Sequence, residues 1–113
     1  MSQITTHVLD TSRGCPAAGI PITLSVWQEN NWALLNSGIT NADGRISDLL
    51  THDTILPAGR YKMCFVLEKY FHDTQQAIFY PLADVVFDIP GDGQHYHIPL
   101  LLSPYGYSTY RGS

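Results

Sequence analysis

Three histidines and an arginine are the side chains of this chain best matched to proton-transfer chemistry: His7, His95, His97 and Arg45. His95-Tyr96-His97 opens an apolar stretch running to Leu102. In a strand, residues i and i+2 face the same way. Tyr96, Ile98, Leu100 and Leu102 then form a core face, and His95, His97 and Pro99 share the other. His7 sits on the less apolar face of its own alternating segment, so pairing of the two strands would make it a neighbour of His97. A neutral histidine near pH 7 is the best-matched general base among side chains. A nearby arginine favours that neutral form and can stabilise an oxyanion as a carbonyl is attacked. The set therefore describes attack of water on an activated amide, and either His7 or His97 could be the base. A competing arrangement is a zinc shell of His7, His95 and His97 with one open position; the Arg45 charge beside a cation argues against it. The tail adds Tyr105, Tyr107, Tyr110, Arg111 and the carboxylate of Ser113, a composition suited to packing against something rather than fraying.

The elements that must position these groups are short and mostly extended. Alternation predicts strands over residues 3–10, 22–28, 32–38, 45–50, 60–67, 83–89, 96–102 and near 105–110. Asn41-Ala-Asp-Gly44 is a turn signal that delivers Arg45 at the head of a strand. Residues 68–77 have the composition of the one short helix, broken by Phe79-Tyr-Pro81. Pro99 cannot donate to a ladder, which predicts an edge or a bulge at that point. Short strands with turn signals every 8–15 residues indicate an antiparallel sandwich or barrel.

Composition narrows the classes. The 113 residues make a single domain, 1–113, able to bury one core. A net charge of −4 without a Lys/Arg cluster excludes a nucleic-acid binder. No apolar run approaches a membrane span, and the first residues lack a signal peptide, so the expected location is cytoplasmic. Cys15 and Cys64 have no metal-ligand spacing, and Cys64, between Met63 and Phe65, is expected to be a small buried hydrophobe. Charged residues make up only 14 % of the chain, which suggests surface hidden in an oligomer.

Leu101-Leu-Ser-Pro-Tyr-Gly-Tyr-Ser-Thr-Tyr-Arg-Gly-Ser113 resembles the C-terminus of the transthyretin-like family, in its 5-hydroxyisourate hydrolase branch, which ends in Tyr-Arg-Gly-Ser. Thr6-His-Val-Leu-Asp10 with Gly14-Cys-Pro-Ala17 is similar to the family's opening strand and loop, Asn41-Ala-Asp-Gly-Arg45 to its central turn, and Phe79-Tyr-Pro81 to its post-helix break. The resemblance implies a two-sheet sandwich of eight antiparallel strands with one short helix, assembled as a homotetramer, a dimer of dimers with a central channel. It implies catalytic roles for His7, Arg45 and His97, substrate contact by Tyr110, and supporting positions for His95, Arg111 and Ser113. The implied reaction is hydrolysis of the cyclic amide of the small molecule 5-hydroxyisourate, a product of urate oxidation, without a cofactor. The alternative within the family is a carrier of an aromatic ligand in the tetramer channel; the histidine set and the terminal tetrapeptide favour the enzyme.

Overall fold

Alternating burial organises most of the long strands of the chain. The computed structural model describes residues 2–112. Strands β1 (Ile4–Asp10), β2 (Cys15–Pro16), β3 (Pro21–Gln28), β4 (Asn31–Ile39), β5 (Arg45–Ile46) and β6 (Gly59–Val66) precede helix α1 (Glu68–Asp73). After it come β7 (Leu82–Ile89), β8 (Tyr96–Ser103) and β9 (Gly106–Thr109). In β1, Ile4, Thr6, Val8 and Asp10 are buried while Thr5, His7 and Leu9 are only partly so. This is the period of two expected of a half-buried strand.

Two sheets result. One runs β2-β1-β8-β9, with β5 also on β1; the other runs β4-β3-β6-β7. Ile4, Val8, Ile98, Leu100 and Leu102 from the first sheet meet Ile22, Leu24, Tyr61, Met63 and Phe65 from the second in one core, closed at one end by Tyr70 and Phe71 of α1. The fold is the expected two-sheet sandwich with very little helix.

Several details depart from the sequence reading. Of the strand expected over residues 45–50 only Arg45–Ile46 pairs, and Cys15–Pro16, expected in a loop, form a short strand. The pairing of β1 with β8 is parallel, with Thr5 opposite His97 and His7 opposite Pro99, so the strands are not all antiparallel. The two strands are far apart in sequence, and no tight turn obliges them to run in opposite directions. The helix ends at Asp73 because the Thr74 hydroxyl caps the Tyr70 carbonyl at 2.8 Å and Gln75 turns to φ 58°. Pro99 lies in an interior strand, not at an edge. Its consequence appears on the β9 side: the Gly112 amide bonds the His97 carbonyl in the register that also pairs Leu100 with Thr109, and the ladder between them is broken. Proline supplies no N–H at the intervening position, so the tail leaves the ladder after Thr109 and returns three residues later, at Gly112. Cys64 is on the outer face of its sheet beside Asp84, not in the core, and burial followed by the Asp84 carboxylate pushes its thiol up to about 11.

Strand β1 is anchored at both ends. At its start, the Gln3 side chain accepts from the Leu56 amide at 2.8 Å and donates to the Gln94 carbonyl at 2.9 Å. At its end the buried Asp10 carboxylate accepts from the amides and hydroxyl of the following turn, from the Tyr70 hydroxyl at 2.8 Å and from the Gln76 amide at 2.9 Å. A buried carboxylate is tolerated because every contact is a charge-assisted donor. Burial opposes ionisation, yet the Gln76, Tyr70 and turn hydrogen bonds together hold this carboxyl below its usual value.

Candidate active site

The outer face of the β1–β8 pair carries the histidines. Thr5 and His7 project from β1, and His97 from β8, in register with Thr5. On the other side of β1, β5 sets Arg45 directly opposite His7. That placement depends on the preceding turn. The Asn41 side chain accepts from the amides of Asp43 at 2.9 Å and Arg45 at 3.1 Å, and the Gly44 carbonyl accepts from the Val8 amide at 2.8 Å. Gly44 has φ +73°, and a Cβ there would lie 2.4 Å from the Val8 carbonyl oxygen, so only glycine lets the turn close onto β1.

Thr5, Thr6, Arg45, Ile46, Ser47, His95 and His97 line an open pocket of about 440 Å³. His7 borders it through its cross-strand pairing with Arg45. The Thr5 hydroxyl lies 2.8 Å from His95 Nε2 and 2.9 Å from His97 Nδ1. The two imidazoles are nearly parallel, at 23°, with centroids 6.4 Å apart. Arg45 forms no ion pair among the described residues, which leaves its guanidinium to address an oxygen in the pocket.

Electrostatics favour neutral bases. The His7 pKa is lowered by burial first and by Arg45 second, with the Asp43 backbone and carboxylate opposing. That of His97 is lowered by burial, then by Arg45, His95 and His7. Both rings therefore stay neutral to lower pH than a free histidine. The zinc arrangement does not form: among the described residues no group of three His, Cys, Asp or Glu side chains is placed to hold one metal ion.

The tail divides its work. Gly112 packs on His97, and a Cβ there would be 2.7 Å from His97 Cδ2. Tyr110 and Arg111 are not in the histidine pocket of this chain. They line a neighbouring groove with Tyr96, Ile98 and Phe87, where the Arg111 guanidinium sits 4.5 Å over the Tyr96 ring and Tyr110 is 59 % exposed. Ser113 lies outside the described residues. Sequence reasoning missed Thr5 and Gly112. Both were legible only as strand and tail residues, although the i, i+2 spacing of Thr5 and His7 was a usable signal.

A model of the HIUase/Transthyretin family matches residues 4–112. The chain belongs to that family. A mouse (Mus musculus) relative named 5-hydroxyisourate hydrolase is 47 % identical, the alignment covering 99 % of this chain and 96 % of the relative. The solved structure of Klebsiella pneumoniae 5-hydroxyisourate hydrolase superposes with a TM-score of 0.84 at 39 % identity, covering 97 % of this chain and 98 % of that one. The structure of sea bream transthyretin in complex with thyroxine gives a TM-score of 0.91 at 32 % identity, covering 98 % of this chain and 95 % of that one. Backbone likeness thus spans both branches, and side chains must decide between them.

Proposed function

We propose that this protein is a 5-hydroxyisourate hydrolase of urate catabolism, opening the cyclic amide of its substrate to give 2-oxo-4-hydroxy-4-carboxy-5-ureidoimidazoline. The observation that carries the reading is a pocket lined by His97 and by Arg45, which has no ion-pair partner among the described residues, with His7 opposite Arg45 at its border and both His7 and His97 biased toward the neutral form. A carrier of an aromatic ligand has no use for that set, and relatives named 5-hydroxyisourate hydrolase match nearly the whole chain.

In the reaction, His7 or His97 takes a proton from a water molecule, whose oxygen attacks the amide carbonyl carbon. Arg45 stabilises the oxyanion that forms. The C–N bond then breaks, and the proton goes to the departing nitrogen. One general base contributes roughly 10²–10⁴ in rate, and an aimed oxyanion donor about 10²–10³. His95 lines the same pocket, while Tyr110, Arg111 and Ser113, whose own-chain groove is the adjacent one for Tyr110 and Arg111, would reach a flat, hydrogen-bonding ring there from a second subunit of the assembly. No step calls for a metal or a covalent intermediate.

The working form is a homotetramer, a dimer of dimers, located in the cytoplasm. Exposed apolar side chains such as Leu34, Phe79, Val86 and Tyr105 support burial between subunits, and sedimentation at micromolar concentration tests it. For the activity, substrate is generated in place with urate oxidase and its ultraviolet absorbance followed. Faster decay with this protein than without it is expected, and loss of the acceleration in both His7→Ala and His97→Ala. No acceleration by the wild type would leave the carrier reading.

A further inference from the structure

Two contacts of the Thr5 hydroxyl do more than orient neighbours. The hydroxyl meets His97 Nδ1 at 2.9 Å and His95 Nε2 at 2.8 Å. It owns a single proton, so it donates in one contact and accepts a ring N–H in the other. Two arrangements satisfy both bonds. In one, His97 Nδ1–H donates to Thr5 and Thr5 donates to His95; the remaining His97 nitrogen, Nε2, then carries a free lone pair. In the other, His95 Nε2–H donates to Thr5 and Thr5 donates to His97 Nδ1, so a neutral His97 carries its proton on Nε2. The first is a base toward the pocket, the second an acid.

We propose that His97, Thr5 and His95 form a proton relay in which Thr5 couples the protonation of one ring to that of the other. The proposal rests on the hydrolase reading for its use and deepens it. When His97 Nε2 takes the proton of the attacking water, its Nδ1 proton passes to the Thr5 oxygen and the Thr5 proton passes to His95 Nε2. Charge and protons balance: one proton leaves water, the positive charge appears on His95, and His97 ends neutral with its proton on Nε2. It is then the acid that the departing nitrogen needs. When that Nε2 proton goes to the departing nitrogen, the extra proton on His95 Nε2 returns through the Thr5 hydroxyl to His97 Nδ1, so no imidazolate forms and the three groups regain their starting state. The rings themselves are too far apart for direct transfer, at 6.4 Å between centroids.

The surroundings give the relay a direction. His97 is partly buried and faces Arg45 from β5, His7 from β1 and the Gly112 backbone from the tail. A positive charge kept there is opposed by burial and by the guanidinium. His95 is exposed, ahead of β8, where water solvates an imidazolium. Threonine favours a strand for its branching alone, but that preference does not require its hydroxyl to span two imidazoles.

The test compares Thr5→Val, Thr5→Ser, His95→Ala and the Thr5→Val/His95→Ala double variant. Val keeps shape and removes the hydroxyl; Ser keeps the hydroxyl. Thr5→Val is expected to lower kcat by about tenfold or more, a part of what a general base supplies, with KM changed by less than about twofold. Thr5→Ser returns kcat to within about threefold of wild type. His95→Ala matches Thr5→Val, and the double variant is no worse than either single, because both cut one chain. Wild-type kcat in Thr5→Val, or multiplied losses in the double variant, overturns the relay. His95 is exposed, so its variant stays informative even if Thr5→Val folds poorly. Imidazole ¹⁵N NMR separates this idea from the hydrolase reading: Thr5→Val must change the tautomer balance of His97 whether or not the wild type hydrolyses the substrate. Unchanged nitrogen shifts refute the relay, and an inactive wild type refutes the hydrolase.

Discussion

Replacing Gly112 with alanine should disable the site without unfolding the protein. The added Cβ would stand 2.7 Å from His97 Cδ2 and 3.3 Å from both Cβ and Cγ of the same residue. Ordinary contact begins near 3.4 Å, so the ring or the tail must give by about 0.7 Å, a displacement of the size that costs roughly 10²-fold in rate when it misplaces a reacting group. The backbone of Gly112 is not in the left-handed region, so the cost is steric and falls on His97. If the ring gives, its 2.9 Å contact with Thr5 is lost; if the tail gives, the 2.7 Å bond from the Gly112 amide to the His97 carbonyl breaks. The bridge is isolated from the main ladder, so the core is untouched. The assay is decay of 5-hydroxyisourate absorbance beside a thermal melt. The expected result is kcat/KM down about 100-fold with the melt shifted by only a few degrees. Activity within about twofold of wild type would refute close packing of the tail on His97 as a requirement of catalysis.

Other perturbations separate charge from scaffold. Arg45→Gln removes a cation that lowers the pKa of both His7 and His97, so the acid limb of kcat/KM, placed below 6.5 in the wild type, should move up in pH while kcat falls about 10²–10³-fold. A pH–rate profile reads both. Asp10→Asn should cost about 3 kcal/mol at neutral pH by denaturant titration, since a buried acceptor of several donors is replaced by a group that clashes with some of them. The Asp10 pKa is depressed below 3.8, so its contribution is present above that value and lost as pH falls through the folded pKa; the gap between variant and wild type should narrow in that range. Deleting residues 110–113 should abolish turnover and preserve the cooperative melt of the sandwich.

Much of this architecture was legible because alternation in β1 and β8 maps directly onto burial, and because a turn ending in glycine places Arg45 at a strand head. The shared face of His7 and His97 followed from the same period. Less accessible was the direction of pairing: face assignment is identical for parallel and antiparallel neighbours, so the register of Thr5 with His97 could not be read from pattern. The role of Thr5 followed that register out of reach. Cys64 misled because its sequence neighbours Met63 and Phe65 belong to the opposite face. Pro99 signalled a real interruption, but its effect falls on the strand beside it rather than on its own position in the sheet. Tyr110 and Arg111 are joined to the histidines by the family resemblance, whereas within this chain they border the adjacent groove.

The parallel pairing of the first long strand with the penultimate one has a kinetic meaning. Thr5 and His97 meet across 92 residues of chain. During vectorial synthesis β1 emerges first and must wait for β8 before its sheet can close. Such remote pairings place folding in the slow, millisecond-to-second regime of non-local topologies. They also mean that no N-terminal fragment holds a complete site: a product of premature termination has His7 and Arg45 but neither His97 nor its glycine seal. Catalysis is therefore an all-or-none report on chain completion, and incomplete copies of this protein are silent rather than sluggish.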